Sequence, residues 1–330
     1  MVTTEKLTTR FRYLLKQPEI IVAPGAYDCM TAKIIERTGF PAVYMTGAGT
    51  SVARLGYPDL ALATMTEMLE NASAIAGTVD VPVIADADTG YGGVLNVGRA
   101  VRLYERTGVA AIHIEDQESP KRCGHLDNKR VVAIEEMVQK IHAATDARVD
   151  EDFTIIVRTD SLAVTGWDDA MDRCNAYVEA GADVLFVEAI RSPEEAQTAA
   201  SRFGVPLLYN FVETGKSPLK SAPDLQRLGF KIVIFPASAL MLVARAVAGL
   251  MDEIKQMGTT GHMMDQMASL EDCFNLVGMA DLLAQDARYA GQTLSLIHIS
   301  EPTRLGMISY GVFCWKKKRG GGGGGGGGGG

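Results

Sequence analysis

The stretch Lys121-Arg122-Cys123-Gly124-His125 sets one thiol among cationic or protonatable side chains. Cysteine and histidine separated by a single residue are too close for the usual zinc spacing. The surrounding positive charge favours thiolate instead, and a thiol with a depressed pKa exchanges protons near neutral pH. Cys123, with Lys121 and His125 beside it, is thus a candidate for proton exchange. Gly124 gives the loop freedom to fold over a ligand. A second group is Asp86-Ala87-Asp88, where an extended chain points both carboxylates to one face. Glu115 is the third acid. Three carboxylates in one place repel unless a cation joins them, and hard oxygen donors suit Mg²⁺, or Mn²⁺ in its stead. His113 reads equally well as a satisfied interior histidine or as a member of this set. Thr89-Gly90-Tyr91-Gly92-Gly93 then permits a tight turn or close approach of backbone to a ligand.

Positioning these groups falls to eight short apolar runs, at 20–25, 42–47, 81–88, 110–116, 153–160, 183–189, 206–212 and 231–238. They are apolar on both faces until a polar residue arrives, as buried parallel strands are. Helical patterns lie between them, among them 59–77, 94–108, 167–181 and 192–204, and several end in glycine. Eight β/α units in about 250 residues predict an α/β fold of the TIM (β/α)8 type. A doubly wound open sheet would want a glycine fingerprint after its first strand. PGAYDCM is not one, and TGAGTSVARLG carries only a lone G-x-G. Beyond the eighth strand come a helix over 239–257 and an amphipathic segment over 267–290. That C-terminal helical extension has no barrel position left, so it caps the barrel or packs on a neighbouring subunit.

In such a barrel chemistry sits at the C-terminal ends of the strands. Here those ends carry Tyr44 with Thr46, Gly47 and Ala48, then Asp86 and Asp88, then His113, Glu115 and Asp116, then Arg158, Glu188 and Asn210. One polar residue at a strand exit is commonly a loop hydrogen bond. Six exits on one rim make a site.

The 330 residues are 47% hydrophobic and 22% charged, an ordinary globular composition. No run of about 18 apolar residues is present, so no membrane span is expected. The N-terminal segment lacks an apolar signal core, which reads as cytoplasmic. The five cysteines, at 29, 123, 174, 273 and 314, form no metal or redox pair and are expected to stay reduced. Residues 293–330, ending in eleven glycines, resemble translated adapter read-through and are set apart as a non-native, disordered tail, leaving 1–292 as one domain. The tail carries a net +4 within the chain's −8, so the body is −12, which argues against nucleic acid as a partner.

DADTGYGG (86–93), HIEDQ (113–117) and KRCGH (121–125) together resemble the isocitrate lyase/phosphoenolpyruvate mutase superfamily. GYPD (56–59), VRTD (157–160) and NFVETGKSP (210–218) extend the resemblance across the body. KRCGH looks like the mobile loop of the lyase branch, which includes 2-methylisocitrate and 2,3-dimethylmalate lyases. The resemblance implies Mg²⁺ held largely through water by Asp86 and Asp88 with Glu115 in support, and Asp59 as a structural or metal-shell acid. It implies Tyr44, Thr46, Gly47 and Ala48 around a 2-oxo acid, Arg158 on a substrate carboxylate, Glu188 and Asn210 completing the pocket, and Cys123 as acid–base. It also implies a homotetramer built from helix-swapped dimers. The chemistry agrees: cleaving a 2-hydroxy acid leaves an alkoxide-derived 2-oxo acid and an enolate-like carbanion. A Lewis acid suits the first and a proton donor the second. Tyr44, Glu115 or a metal-bound water could take the hydroxyl proton.

The family pattern for a tricarboxylate places arginines in P-x-S-A-x-R after strand eight and in T-R-x-E-L in the last helix. Met241 and Leu270 stand at those positions here. Burying a third carboxylate unpaired costs several kcal/mol. The expected substrate is therefore a small 2-hydroxy dicarboxylate such as 2,3-dimethylmalate, with 2-methylisocitrate still open. Oxaloacetate hydrolysis, phosphonate P–C chemistry and a silent oligomeric scaffold are the alternatives.

Overall fold

A computed structural model describes residues 5–124, 126 and 128–290. Helix α1 (Leu7–Lys16) leads into eight parallel strands that close on themselves in chain order. The strands are β1 (Ile21–Ala26), β2 (Val43–Met45), β3 (Val83–Asp86), β4 (Ala111–Glu115), β5 (Thr154–Thr159), β6 (Val184–Val187), β7 (Leu207–Asn210) and β8 (Ile232–Phe235). Between them run α2 (Cys29–Arg37), α3 (Gly47–Thr50), α4 (Met65–Ala76), α5 (Val94–Arg106), α6 (Ile134–Ala147), α7 (Trp167–Glu179), α8 (Pro193–Arg202) and α9 (Ala222–Leu228). After β8 follow α10 (Ser238–Met257), α11 (Leu270–Leu276) and α12 (Met279–Ala290). This is the expected TIM barrel with a C-terminal helical extension.

Period two governs every strand. Ile84, Ala111, Ile156, Val184, Leu208, Ile232 and Ile234 point inward, and Phe11 of α1 joins them at the strand starts as a fully buried plug. The alternate residues, such as Ile112, Ile155, Val157 and Leu185, face the helices. The glycines expected after the helices, Gly39, Gly108, Gly181 and Gly229, adopt φ of 88 to 104°, which reverses the chain into the next strand.

Two boundaries differ from the sequence expectation for local reasons. The helix anticipated from residue 59 begins at Met65, because Thr64 accepts from the Glu67 amide while the Glu67 carboxylate accepts from the Thr64 amide at 2.8 Å. The single amphipathic segment over 267–290 is two helices, broken at Gly278, whose φ is 92°. The chain divides into two compact units, Met1–Met279 and Ala280–Gly330. Residues 293–330 lie outside the described part.

The seam between β1 and β8 is tight. A Cβ at Gly25 would stand 2.7 Å from Pro236 Cα and O and 2.8 Å from the Phe235 carbonyl, all backbone that cannot swing aside. Gly25→Ala is expected to cost about 1–3 kcal/mol, the usual range for overpacking. The urea unfolding midpoint measures this, and an unchanged midpoint would show a seam that yields freely.

Candidate active site

The inward parity that builds the core also builds the site. Two residues on from Ile84 comes Asp86, then Asp88; from Ala111, His113 and Glu115; from Ile156, Arg158 and Asp160; from Val184, Phe186 and Glu188; from Leu208, Asn210. Each strand thus continues one row of interior positions until its side chains turn polar at the rim.

His113 sits at the centre. Its Nε2 is 2.8 Å from the Tyr44 hydroxyl and 3.3 Å from Asp86 Oδ1, its ring stacks on Tyr44 with centroids 5.8 Å apart, and its Nδ1 has no hydrogen-bond partner. Burial, with Arg158 adding to it, lowers its pKa to about 3, so the imidazole is neutral. Burial and the Asp86 charge raise the Tyr44 phenol well above its usual value. A phenol held protonated is a hydrogen-bonding group, so Tyr44 is a poor base in this arrangement.

The acids surround Lys121. Its ammonium lies 2.5 Å from Asp59 Oδ1 and 2.7 Å from Asp88 Oδ1. Asp86 is fixed by backbone, its Oδ1 accepting from the Asp88 amide at 2.9 Å and its Oδ2 from the Gly47 amide at 3.2 Å. Burial lifts the Asp88 pKa to about 6, with Asp86 and Asp59 pushing the same way against Lys121. Burial likewise raises Asp86 and takes Glu115 well above the carboxylate range, although Arg158 opposes it. Glu115 Oε2 faces Arg158 Nη1 at 3.3 Å and its buried Oε1 has no hydrogen-bond partner. Among the described residues no three acid, imidazole or thiol groups form a ready-made ion cage. Glu115 turns to Arg158 while Asp86 and Asp88 face backbone amides and Lys121. The donor set still fits a hard cation: Asp86 and Asp88 offer buried carboxylate oxygens, and burial, more than neighbouring acids, opposes their ionisation, a cost that a cation would offset.

Arg158 is clamped from three sides. Asp160 accepts from its Nε at 2.9 Å and its Nη2 at 3.0 Å, Glu188 Oε2 lies 3.7 Å from Nε, and the guanidinium stacks over the Phe186 ring at 5.1 Å. Burial opposes its charge, but Asp160, Glu115 and Glu188 outweigh that and raise its pKa further. Asn210 Nδ2 donates to Glu188 Oε2 at 3.1 Å.

These groups open onto a pocket of about 560 Å³. Tyr44, Thr46, Ala48, Asp59, Asp86, Lys121, Cys123, Gly124, Arg158 and Asn210 all line it. Gly47, Asp88, Glu115 and Glu188 are not on its surface. Cys123 is half-buried. It rides on the loop after β4, pinned at its base where Glu118 N donates to the Arg130 carbonyl at 2.9 Å. The Gln117 side chain also grips both backbone groups of Arg122, at 2.8 and 3.0 Å. The Lys121 charge expected to activate the thiol is spent on Asp59 and Asp88. His125 lies outside the described residues. Sequence reasoning passed over Asp160 and Lys129, although Asp160 continues the inward row of β5. It also passed over Val212, Pro236, Ala237 and Leu240, apolar residues of the pocket that carry no chemical signal.

The family model for phosphoenolpyruvate phosphomutase matches residues 11–255. A 2,3-dimethylmalate lyase from Eubacterium barkeri is 45% identical over 281 residues, covering 85% of this chain and 97% of the relative. A 2-methylisocitrate lyase from Halalkalibacterium halodurans is 40% identical over 290 residues, covering 88% and 96%. The solved structure of an oxaloacetate acetylhydrolase with 3,3-difluorooxalacetate superposes with a TM-score of 0.84 at 39% identity, covering 87% of this chain and 98% of that one. The chain belongs to the isocitrate lyase/phosphoenolpyruvate mutase superfamily and is an enzyme of its lyase kind.

The buried imidazole has a consequence for stability. The folded state keeps His113 neutral down to about pH 3, whereas the unfolded chain protonates it near the ordinary imidazole value of 6.5. Its contribution is whole above that value and is lost as pH falls toward 3, at about 1.4 kcal/mol per pH unit. Denaturant unfolding of wild type and His113→Asn across this window is expected to show the extra slope in wild type alone. Parallel profiles would contradict it.

Proposed function

We propose that the enzyme cleaves the C2–C3 bond of a small alkyl-bearing 2-hydroxy dicarboxylate of the 2,3-dimethylmalate kind, giving a 2-oxo acid and a monocarboxylic acid. The observation that carries this reading is the apolar side of the pocket. Val212 follows β7, and Pro236, Ala237 and Leu240 follow β8, across the closed barrel from Asp86 and Glu115 on β3 and β4. Such a wall accepts methyl groups and penalises a third carboxylate by several kcal/mol. Met241 and Leu270 supply no charge where a tricarboxylate would need one, and Leu270 is 70% exposed. The 45% identity to a 2,3-dimethylmalate lyase points the same way.

Asp86 and Asp88, with Glu115 nearby, would hold Mg²⁺ or Mn²⁺, which would supply Lewis-acid stabilisation of oxygen charge. Arg158, kept ionised by Asp160 and Glu188, binds a substrate carboxylate and fixes its direction. Tyr44 and Thr46 offer hydrogen bonds from β2 and its exit. Glu115 in its ionised form is the base assigned to the C2 hydroxyl proton, since burial raises its pKa and so strengthens it as a proton acceptor once ionised. As the C2–C3 bond breaks, its electron pair becomes the enolate of the departing acid, and the Cys123 thiol protonates that carbon. Gly124 and the loop around it exclude water from the carbanion.

The test is a panel of 2-hydroxy and 2-oxo dicarboxylates with Mg²⁺, on wild type and Cys123→Ser. Pyruvate release is expected to be fastest from 2,3-dimethylmalate, to stop with chelator and to fall about 10²-fold or more in the variant, the scale of a lost acid–base group. Faster pyruvate release from 2-methylisocitrate, or full activity in Cys123→Ser, would overturn the reading. The likeness to an oxaloacetate acetylhydrolase makes oxalate from oxaloacetate the second outcome to measure, and phosphorus NMR covers P–C chemistry.

The same reading includes paired subunits. Helix α10 has no buried residue along its 20-residue length and exposes Leu242, Val243, Val247, Met251, Ile254 and Met257. A second copy of the chain that covers this face, by exchanging C-terminal helices in a tetramer of two dimers, accounts for its apolar character. Sedimentation velocity is expected to give a tetramer, and a monomer at micromolar concentration would refute it.

A further inference from the structure

Lys129 is a buried ammonium for which the proposed reaction has no use. Its side chain is 2% exposed, and its Nζ donates to Asp160 Oδ1 at 2.7 Å and to the carbonyl of Gly124. Asp160 is fully buried, and the same Oδ1 accepts from Arg158 Nη2 at 3.0 Å while Oδ2 accepts from Arg158 Nε at 2.9 Å. Its own amide donates to Asp116 Oδ1 at 2.9 Å, which roots it in the end of β4. Gly124, next to Cys123, lies flat on the other side of the same cluster. A Cβ there would stand 2.2 Å from Arg158 Nη2 and 2.7 Å from Glu188 Cδ. One carboxylate therefore binds both the arginine that faces the pocket and the lysine that holds the turn carrying the thiol. Neither Lys129 nor Asp160 lines the pocket.

We propose that Lys129 and Asp160 are a positioning pair that ties the seating of the Cys123 turn to the setting of the Arg158 guanidinium. Removing either member breaks the link between the Gly124 carbonyl and the Asp160 carboxylate and lets the turn leave its seat. The two ends of the pair differ in consequence. Loss of Lys129 frees the Gly124 carbonyl but leaves both bonds from Asp160 to Arg158. Loss of the Asp160 charge loosens both at once.

The kinetic half of this inference rests on the proposed lyase reaction; the chemical half does not. With iodoacetamide and no substrate, mass spectrometry of the Cys123 peptide measures how often the turn opens. Lys129→Met is expected to alkylate Cys123 about tenfold faster than wild type, since local opening sets the labelling rate. Lys129→Arg is expected to recover much of the protection. Cys174, buried in the core, is the control. Acceleration shared equally by Cys123 and Cys174 reports general loosening and overturns the proposal, as does Cys123 labelling at the wild-type rate. In turnover, Lys129→Met is expected to lower kcat about 10- to 100-fold with KM within about threefold, the signature of a misplaced reacting group. Asp160→Asn is expected to raise KM as well. An equal effect of both variants on KM would contradict the division of labour. If wild type cleaves no 2-hydroxy acid, the lyase reading falls and the labelling result still decides the pair.

Discussion

Uncompensated charge inside the barrel mouth is the constraint on which the rest of this structure depends. Asp59, Asp86, Asp88, Glu115, Asp160 and Glu188 crowd around three cations, Lys121, Lys129 and Arg158. Almost all are buried, so each costs several kcal/mol of desolvation that only a close opposite charge offsets. The acids divide accordingly. Asp160, with Arg158 and Lys129 bonded to it, is held at a pKa of about 2 despite its burial, while burial raises Asp88 to about 6 and takes Glu115 well above the carboxylate range. One side of the mouth is saturated and rigid. On the other side burial disfavours the carboxylate charges, and an added cation there would offset that cost.

The barrel supplies this arrangement without any special local structure. In β2 to β7 the barrel rows become polar at or just beyond the strand end, and closure of the ring brings acids from β3 and β4 within reach of an arginine from β5. That is why so much could be read from sequence. The uniformly apolar strands gave the count, the glycines gave the reversals, and a polar residue at each exit gave the rim. Asp86, Glu115, Arg158 and Asn210 follow from parity alone. The eye missed Asp160 because it falls one residue beyond β5, although its parity is the same.

Other features could not be read that way. Whether Lys121 serves the thiol or the aspartates depends on how a loop of about a dozen residues folds back, and no periodicity encodes that. Its ammonium in fact settles between Asp59 and Asp88, which come from segments far apart in sequence. The state of Tyr44 is similar: a tyrosine at a strand end is an open choice until His113 and Asp86 are seen beside it and the side chain is seen to be buried. The apolar wall was legible only in reverse, through Met241 and Leu270 standing where charge was expected. Val212 and Leu240 carry the wall itself.

The β1–β8 seam joins the first and last strands of the ring, more than 200 residues apart, and Pro236 and Ala237 just beyond it belong to the pocket. A chain leaving the ribosome therefore has its aspartates, its thiol and its arginine long before it has the pocket's last wall. Closure of so distant a pairing comes late, because the intervening chain must be ordered first. An incomplete molecule of this design cannot seat its substrate. Binding competence arrives with the completed ring, so in biosynthesis the final strand of the barrel is also what switches the enzyme on.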